Sequence, residues 1–74
     1  MLLDYYDYVG ECIDNIHNEN LKEEAALTEV GYYLDRNIDE IIASYIMRYG
    51  TYTVDNFEEI YAHFENTVIT ELNK

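Results

Sequence analysis

The chain has little of the residues that form turns and cross-links: no proline, three glycines and one cysteine. The scarcity of proline and glycine argues against a turn-rich all-β domain. A lone cysteine, Cys12, excludes an intrachain disulfide framework, so we expect a reducing cytoplasmic setting. The sequence shows no basic segment followed by a long apolar run and no uncharged apolar stretch near 18 residues. We therefore expect neither a secretory signal nor a membrane-spanning helix.

Basic residues are also scarce, with 4 Lys and Arg against 16 Asp and Glu and a formal net charge of −12. Self-repulsion on this scale opposes a compact state, and a chain of 74 residues has only a thin core to offset it. A hydrophobic content of 49% nevertheless predicts a folded protein rather than an acidic tail. We expect the acidic excess to attract basic proteins, and to disfavour direct contact with nucleic acid or anionic membranes. Solubility alone is the alternative explanation.

Apolar residues recur at spacings of three and four along most of the chain, which is typical of amphipathic helices. The pattern predicts one all-α domain over residues 1–74, with helices at about 2–17, 21–35, 38–49 and 56–72. We expect a compact bundle of three to four helices, because the second and third could be one helix bent near Asn37. The predicted apolar stripe of the first helix is Leu2, Tyr6, Val9, Ile13 and Ile16.

Helix start and stop signals agree with these ranges. An Asn or Asp followed three positions later by Glu is typical of a helix N-terminus. Gly50, directly after the third apolar stripe, is the residue type that commonly ends a helix. The predicted N-terminal pairs are Asn20 with Glu23, Asn37 with Glu40, and Asp55 with Glu58.

The first predicted helix has a row of four carboxylates spaced 3, 4 and 3 residues apart, and no Lys or Arg precedes Lys22. On a helical wheel the row lies about 160° from the apolar stripe, towards solvent. Its neighbouring Cβ atoms would be about 5–6 Å apart, comparable to successive phosphates of a nucleic-acid strand. The row, which we name the acidic row, is predicted to bind a partner and consists of Asp4, Asp7, Glu11 and Asp14.

An ordinary solvated helix face and a protein contact without mimicry are the alternatives for the acidic row. Ordinary solvated faces, however, mix charges of both signs. The fourth helix has a second, looser group of carboxylates that we also predict to contact the partner. This α4 acidic group consists of Asp55, Glu58, Glu59 and Glu65.

Tyrosine is abundant, with nine residues in the chain. Tyr6 falls on the apolar stripe and is predicted to lie in the core. Tyr5 and Tyr8 are predicted to flank the acidic row and to anchor a partner, since tyrosine suits sites with one apolar and one wet end.

Signatures of catalysis and metal binding are missing. The spacing of Cys12, His17 and His63 matches no zinc site, and residues 14–24 lack the central glycine of a calcium loop. No phosphate-binding loop or catalytic Cys–His pattern occurs. We therefore expect no enzymatic activity, no cofactor and no metal, with Cys12 a small buried residue and His63 a surface residue.

The stretch DYYDYVGECID, the small size and the lack of basic residues resemble the small acidic inhibitors that bacteriophages and mobile elements encode against host nucleic-acid enzymes. These include anti-CRISPR proteins, anti-restriction proteins and uracil-DNA glycosylase inhibitors. The all-helical pattern suits the anti-CRISPR proteins better than the glycosylase inhibitors, which resemble mixed α/β folds. The resemblance implies an inhibitor in the host bacterial cytoplasm that occupies the basic groove of a nucleic-acid-binding protein, with a CRISPR effector as one candidate.

A second hypothesis is a small helical regulator, such as an antitoxin, that binds its partner through an apolar or tyrosine patch. Binding by the acidic row should weaken as salt rises, whereas binding by an apolar patch should depend little on salt. Either protein could act as a monomer or as a homodimer, although two chains of net charge −12 repel each other.

Overall fold

Four α-helices make up most of the structure, a computed structural model that describes residues 2–50 and 57–74. Within these residues there are no strands, and each helix packs against the other three. The prediction of an all-α bundle is confirmed, with four separate helices. They are α1 (Tyr5–Asn18), α2 (Glu24–Arg36), α3 (Ile38–Tyr49) and α4 (Phe57–Leu72). The predicted N-terminal residue Asp55 lies outside the described residues.

Helix α1 begins three residues later than predicted, because Asp4 caps it. The Asp4 carboxylate accepts a hydrogen bond from the Tyr6 N–H at 3.2 Å. In return, the Asp7 carboxylate accepts one from the Asp4 N–H at 3.3 Å, which completes a capping box. Such a cap satisfies donors that have no partner inside the helix. Leu2 and Leu3 therefore precede the helix.

The predicted cap of α2 by Asn20 is wrong, because Asn20 ends α1 instead. Asn20 has a φ of 55°, and its N–H bonds to the His17 carbonyl at 3.0 Å. The Leu21 N–H bonds to the Ile16 carbonyl at 3.0 Å, so the two bonds form the paired pattern of a Schellman motif. Helix α2 then starts after Glu23, which has a φ of 51° and makes no side-chain cap.

A single residue, Asn37, separates α2 from α3. Its φ of −124° and ψ of 23° leave the helical region, so the chain breaks there rather than bending continuously. The prediction that Asn37 precedes α3 is confirmed, but its side chain caps the other helix: Nδ2 donates to the Tyr33 carbonyl at 3.0 Å. Gly50 ends α3 as predicted, with a φ of 93° and its N–H bonded to the Ile46 carbonyl at 2.8 Å.

Buried side chains from all four helices form one core. Aromatic rings occupy much of it, and the Tyr33 and Phe64 rings lie nearly parallel with centroids 6.0 Å apart. Along α1 the core face passes through Tyr5, Tyr8 and Cys12, so it is rotated away from the predicted stripe. The buried apolar residues are Tyr5, Tyr8, Val9, Cys12, Ile16, Ala26, Val30, Tyr33, Leu34, Ile41, Ile60, Phe64 and Val68.

Candidate partner-binding surface

The helical turn of α1 places Asp7, Glu11 and Asp14 on one exposed face. Three ion pairs occur among the described residues: Arg36 with Glu29, Arg48 with Asp4, and Lys74 with Glu71. None of them involves these three carboxylates, so this part of the acidic row has the unneutralised charge that its sequence predicts. Like charges at such spacings repel each other within the helix.

Asp4, the first member of the acidic row, has a different environment. Arg48 reaches it from α3, and Nη1 lies 3.2 Å from Oδ1 and 3.1 Å from Oδ2. Asp4 is therefore both the N-cap of α1 and the partner of an arginine 44 residues away in the sequence. Although no Lys or Arg precedes Lys22 in the sequence, Arg48 pairs with the acidic row at this position.

Arg48 also contacts two exposed tyrosines. Its Cζ atom lies 4.3 Å from the centroid of the Tyr6 ring, a cation–π geometry. The hydroxyls of Tyr6 and Tyr49 are 3.2 Å apart, and this hydrogen bond is the main cause that raises the pKa of Tyr49. Tyr6 is 40% exposed and Tyr49 is 46% exposed. We call Asp4, Tyr6, Arg48 and Tyr49 the arginine–tyrosine cluster.

The predicted placement of Tyr5 and Tyr8 beside the acidic row is wrong. Tyr5 is 0% and Tyr8 is 4% exposed, because α1 turns this side towards the other helices. The Tyr5 hydroxyl lies 2.8 Å from Nδ1 of His63, and burial raises the pKa of Tyr5. The Tyr8 hydroxyl accepts a hydrogen bond from the Leu3 N–H at 3.3 Å. Neither ring can anchor a partner without unfolding α1, and Tyr6 takes the exposed place instead.

His63, predicted to be a surface residue, is partly buried. Its ring centroid lies 5.6 Å from that of Tyr5, 5.3 Å from that of Tyr45 and 5.4 Å from that of Tyr49. It therefore joins α4 to the aromatic side chains of α1 and α3. This packing supports the arginine–tyrosine cluster from beneath, since Tyr49 belongs to both groups.

A carboxylate of α3 lies near the middle of the acidic row. Glu11 of α1 and Glu40 of α3 line the same shallow cleft. Beneath this region lies the buried Tyr33 hydroxyl, which has no hydrogen-bond partner among the described residues. Burial is the main cause that raises the pKa of Tyr33, and the charge of Glu11 adds to it. Carboxylates from two helices therefore border this cleft.

The described members of the α4 acidic group, Glu58, Glu59 and Glu65, do not line the cleft that Glu11 and Glu40 share. Glu65 lies one turn after Tyr61 on α4, and burial, followed by the charges of Asp35 and Glu65, raises the pKa of Tyr61. A Cβ atom added at Gly31 of α2 would lie 3.4 Å from the Tyr61 hydroxyl, so the Tyr61 side chain reaches across from α4 to α2 there. Glu58 and Glu59 are exposed in the first turn of α4, and Asp55 lies outside the described residues.

An apolar cleft of about 480 Å³ opens between the end of α1, the start of α2 and the end of α4. The Schellman motif places Leu21 beside Ile16 at one side of it. Leu27 of α2 is 44% exposed at this cleft, although it falls on the apolar pattern of its helix. Its apolar lining is Ile16, Leu21, Ala26, Leu27, Val30, Ile69 and Leu72, and its polar rim is His17, Lys22, Glu23 and Asn73.

The single cysteine of the chain lies in the core. Cys12 is buried as predicted, and desolvation is the main cause that raises the pKa of its thiol to about 12. The thiol therefore stays protonated near neutral pH. Over residues 2–50 and 57–74, no group of three or more His, Cys, Asp or Glu side chains is arranged to hold a metal ion. In the same residues no helix is both long and apolar enough to span a membrane.

Comparisons with protein families, with curated proteins and with solved structures find no match for this chain. The chemistry of the surface must therefore be inferred from its own residues. A row of carboxylates can attract Lys and Arg and accept charge-assisted hydrogen bonds from them. Exposed tyrosines beside the row offer faces on which a guanidinium can stack.

Proposed function

We propose that this protein is a non-enzymatic inhibitor that occupies the basic groove of a nucleic-acid-binding protein. The acidic row would take the place of the phosphates that the groove binds. Anti-CRISPR and anti-restriction proteins, which the sequence resembles, are inhibitors of this kind, and a CRISPR effector is one candidate target.

One observation carries the proposal: Asp7, Glu11 and Asp14 line one exposed face of α1 and form no ion pair with the described residues. Three of the four basic residues of the chain are paired elsewhere. Asp7 also contributes to the cap of α1, but Glu11 and Asp14 gain no ion pair among the described residues and lower the stability through repulsion. The Lys and Arg side chains of a basic partner would attract these carboxylates and offset their mutual repulsion. The carboxylates would in turn offset the repulsion among the partner's positive charges.

The test compares two triple variants that remove the same charge from different faces. The α1 triple variant is Asp7→Asn, Glu11→Gln and Asp14→Asn, and it leaves the Asp4 cap in place. The matched control, the α4 triple variant, is Glu58→Gln, Glu59→Gln and Glu65→Gln. Each protein is immobilised and exposed to a bacterial lysate, and captured proteins are eluted with salt or with competing oligonucleotides.

We expect the wild type and the α4 triple variant to retain basic nucleic-acid-binding proteins that oligonucleotides release. The α1 triple variant should lose them while keeping its helical circular dichroism. Equal capture by both triple variants would contradict the proposed role of the acidic row, and capture only by the α1 triple variant would transfer that role to α4.

The apolar cleft favours a second candidate function, a small helical regulator that binds a partner through apolar side chains. Its volume of about 480 Å³ is within the usual range for ligand pockets and could seat one or two apolar side chains. Under this hypothesis Leu27→Glu should abolish capture, and binding should change little between about 50 and 500 mM salt. The α1 triple variant should then bind as the wild type does.

A further inference from the structure

The contacts of Arg48 describe how this surface binds a guanidinium group. Both oxygens of the Asp4 carboxylate lie within 3.2 Å of Nη1, and the Tyr6 ring lies 4.3 Å from Cζ. A carboxylate at the edge of a guanidinium and an aromatic ring over its face satisfy the two preferences of this group. Asp4 and Tyr6 lie at the start of α1, whereas Arg48 lies in the last turn of α3.

Asp4 and Tyr6 keep their positions for reasons that do not depend on Arg48. The Asp4 carboxylate is held by the Tyr6 N–H as part of the helix cap. The Tyr6 ring packs edge-to-face on Tyr5, with centroids 5.5 Å apart, and its hydroxyl bonds to Tyr49. An arrangement fixed by the fold loses little conformational freedom when it binds a ligand.

Arg48 itself is held only at the surface. Its side chain is 42% exposed and that of Asp4 is 48% exposed. Ion pairs at such exposure are weak and are readily replaced, because water and salt compete with them. Release of Arg48 needs a rotation of its own long side chain and no movement of α3.

We infer that Asp4 and Tyr6 form a guanidinium-binding subsite, which Arg48 fills in the free protein and which an arginine of a basic partner takes over on binding. The inference rests on the proposed function and adds to it the side chain that the partner presents. The subsite begins the acidic row, so further cations of the partner would meet Asp7, Glu11 and Asp14. Lysine fits it less well than arginine, because an ammonium lacks the planar face and the fork of donors.

The test measures binding of octa-arginine and octa-lysine peptides by calorimetry at low salt. Arg48→Met removes the guanidinium from the subsite, and methionine keeps an unbranched side chain at this position of α3. Its control is Arg36→Met, which removes the same charge and frees the Glu29 carboxylate. Among the described residues this site has no tyrosine ring in cation–π contact, and the Glu29 side chain is 11% exposed against 48% for Asp4. Circular dichroism establishes that both variants are folded.

We expect Arg48→Met to bind octa-arginine about fivefold to tenfold more tightly than the wild type does, from one added carboxylate and one cation–π contact. Arg36→Met should gain less than about twofold, and octa-lysine should bind the two variants alike. Adding Tyr6→Ala to Arg48→Met should remove the gain, whereas adding Tyr6→Phe should keep it. If Arg48→Met does not fold, Arg48→Lys should show a smaller gain for octa-arginine.

Equal gains in the two arginine variants, or no gain in Arg48→Met, would overturn the subsite and leave the acidic row as a general cation-binding surface. Failure of the wild type to bind either peptide at low salt would contradict the proposed function as well. The two failures are therefore distinguishable in one set of titrations.

Discussion

The two halves of the acidic row differ in what the fold does with them. Asp4 and Asp7 form the capping box of α1, and Asp4 also binds Arg48. Glu11 and Asp14 are one and two turns further along, and no ion pair reaches them among the residues that the structure describes. The first half contributes to folding stability, whereas the second half reduces it by repulsion. Residues kept at a cost to stability are the better candidates for function.

The largest difference in stability should be found between variants of two adjacent tyrosines, Tyr5 and Tyr6. Tyr5→Ala should destabilise the protein by about 3–5 kcal/mol, because it empties the centre of the core. Tyr6→Ala removes an exposed ring and should cost less than about 1 kcal/mol. Urea unfolding followed by circular dichroism measures both changes. Similar losses for the two variants would mean that the rotation of α1 described above is wrong.

The next effect concerns the first half of the row. Asp4→Ala should lower the free energy of unfolding by about 1 kcal/mol, because it removes the N-cap. Asp4→Asn is the control, since asparagine caps nearly as well but cannot pair with Arg48 as a charge. We expect Asp4→Asn to lose much less stability than Asp4→Ala does. If Asp4→Asn lowered the free energy of unfolding as much as Asp4→Ala does, the ion pair with Arg48 and not the cap would be the stabilising interaction.

A stabilising effect of comparable size should appear at the start of α2, which has no side-chain cap, whereas α1 has one. Glu23 adopts a φ of 51° and a ψ of −120°, a conformation that costs a non-glycine residue about 1–3 kcal/mol. Glu23→Gly should therefore raise stability by about 1 kcal/mol, measured by thermal unfolding. Its control, Glu24→Gly, places glycine inside the helix and should lower stability by a similar amount. Destabilisation by both would show that Glu23 is not strained.

The smallest change in stability should occur in the second half of the row, together with the largest change in binding. Removing two like charges by Glu11→Gln and Asp14→Asn should stabilise α1 by about 0.2–0.5 kcal/mol for each pair relieved. The same variant should lose the basic partner in the capture experiment. A variant that became less stable, or that bound as the wild type does, would remove the contrast between the two halves.

Much of the fold follows from local patterns in the sequence. The third helix and its end at Gly50 were predicted correctly, because apolar spacing and a single glycine determine them locally. The fourth helix was likewise predicted from its apolar spacing, and Ile60, Phe64 and Val68, four residues apart, are buried in the core. The boundary between α1 and α2 was predicted less well, since an asparagine can cap the start of one helix or end another in the left-handed conformation.

The candidate surface was predicted only in part. The exposed positions of Asp7, Glu11 and Asp14 follow from helical spacing alone. The burial of Tyr5 and the exposure of Tyr6 could not be predicted, because tyrosine suits both core and surface. The neighbouring helices decide which side of α1 is covered. The contact between Asp4 and Arg48 joins residues far apart in sequence, so no local pattern indicates it. An Asp followed three positions later by another Asp, as in Asp4 and Asp7, is a sequence signal for the capping box that the structure shows.

The most direct test of the acidic row as the working surface is the salt dependence of binding. The dissociation constant for a captured basic partner would be measured between about 50 and 500 mM salt for the wild type and for the α1 triple variant. We predict that wild-type affinity falls steeply with salt and that the variant binds weakly with a smaller salt dependence, because three of the four carboxylates of the acidic row are gone. Wild-type binding that is insensitive to salt, or an α1 triple variant with the same slope, would contradict the account.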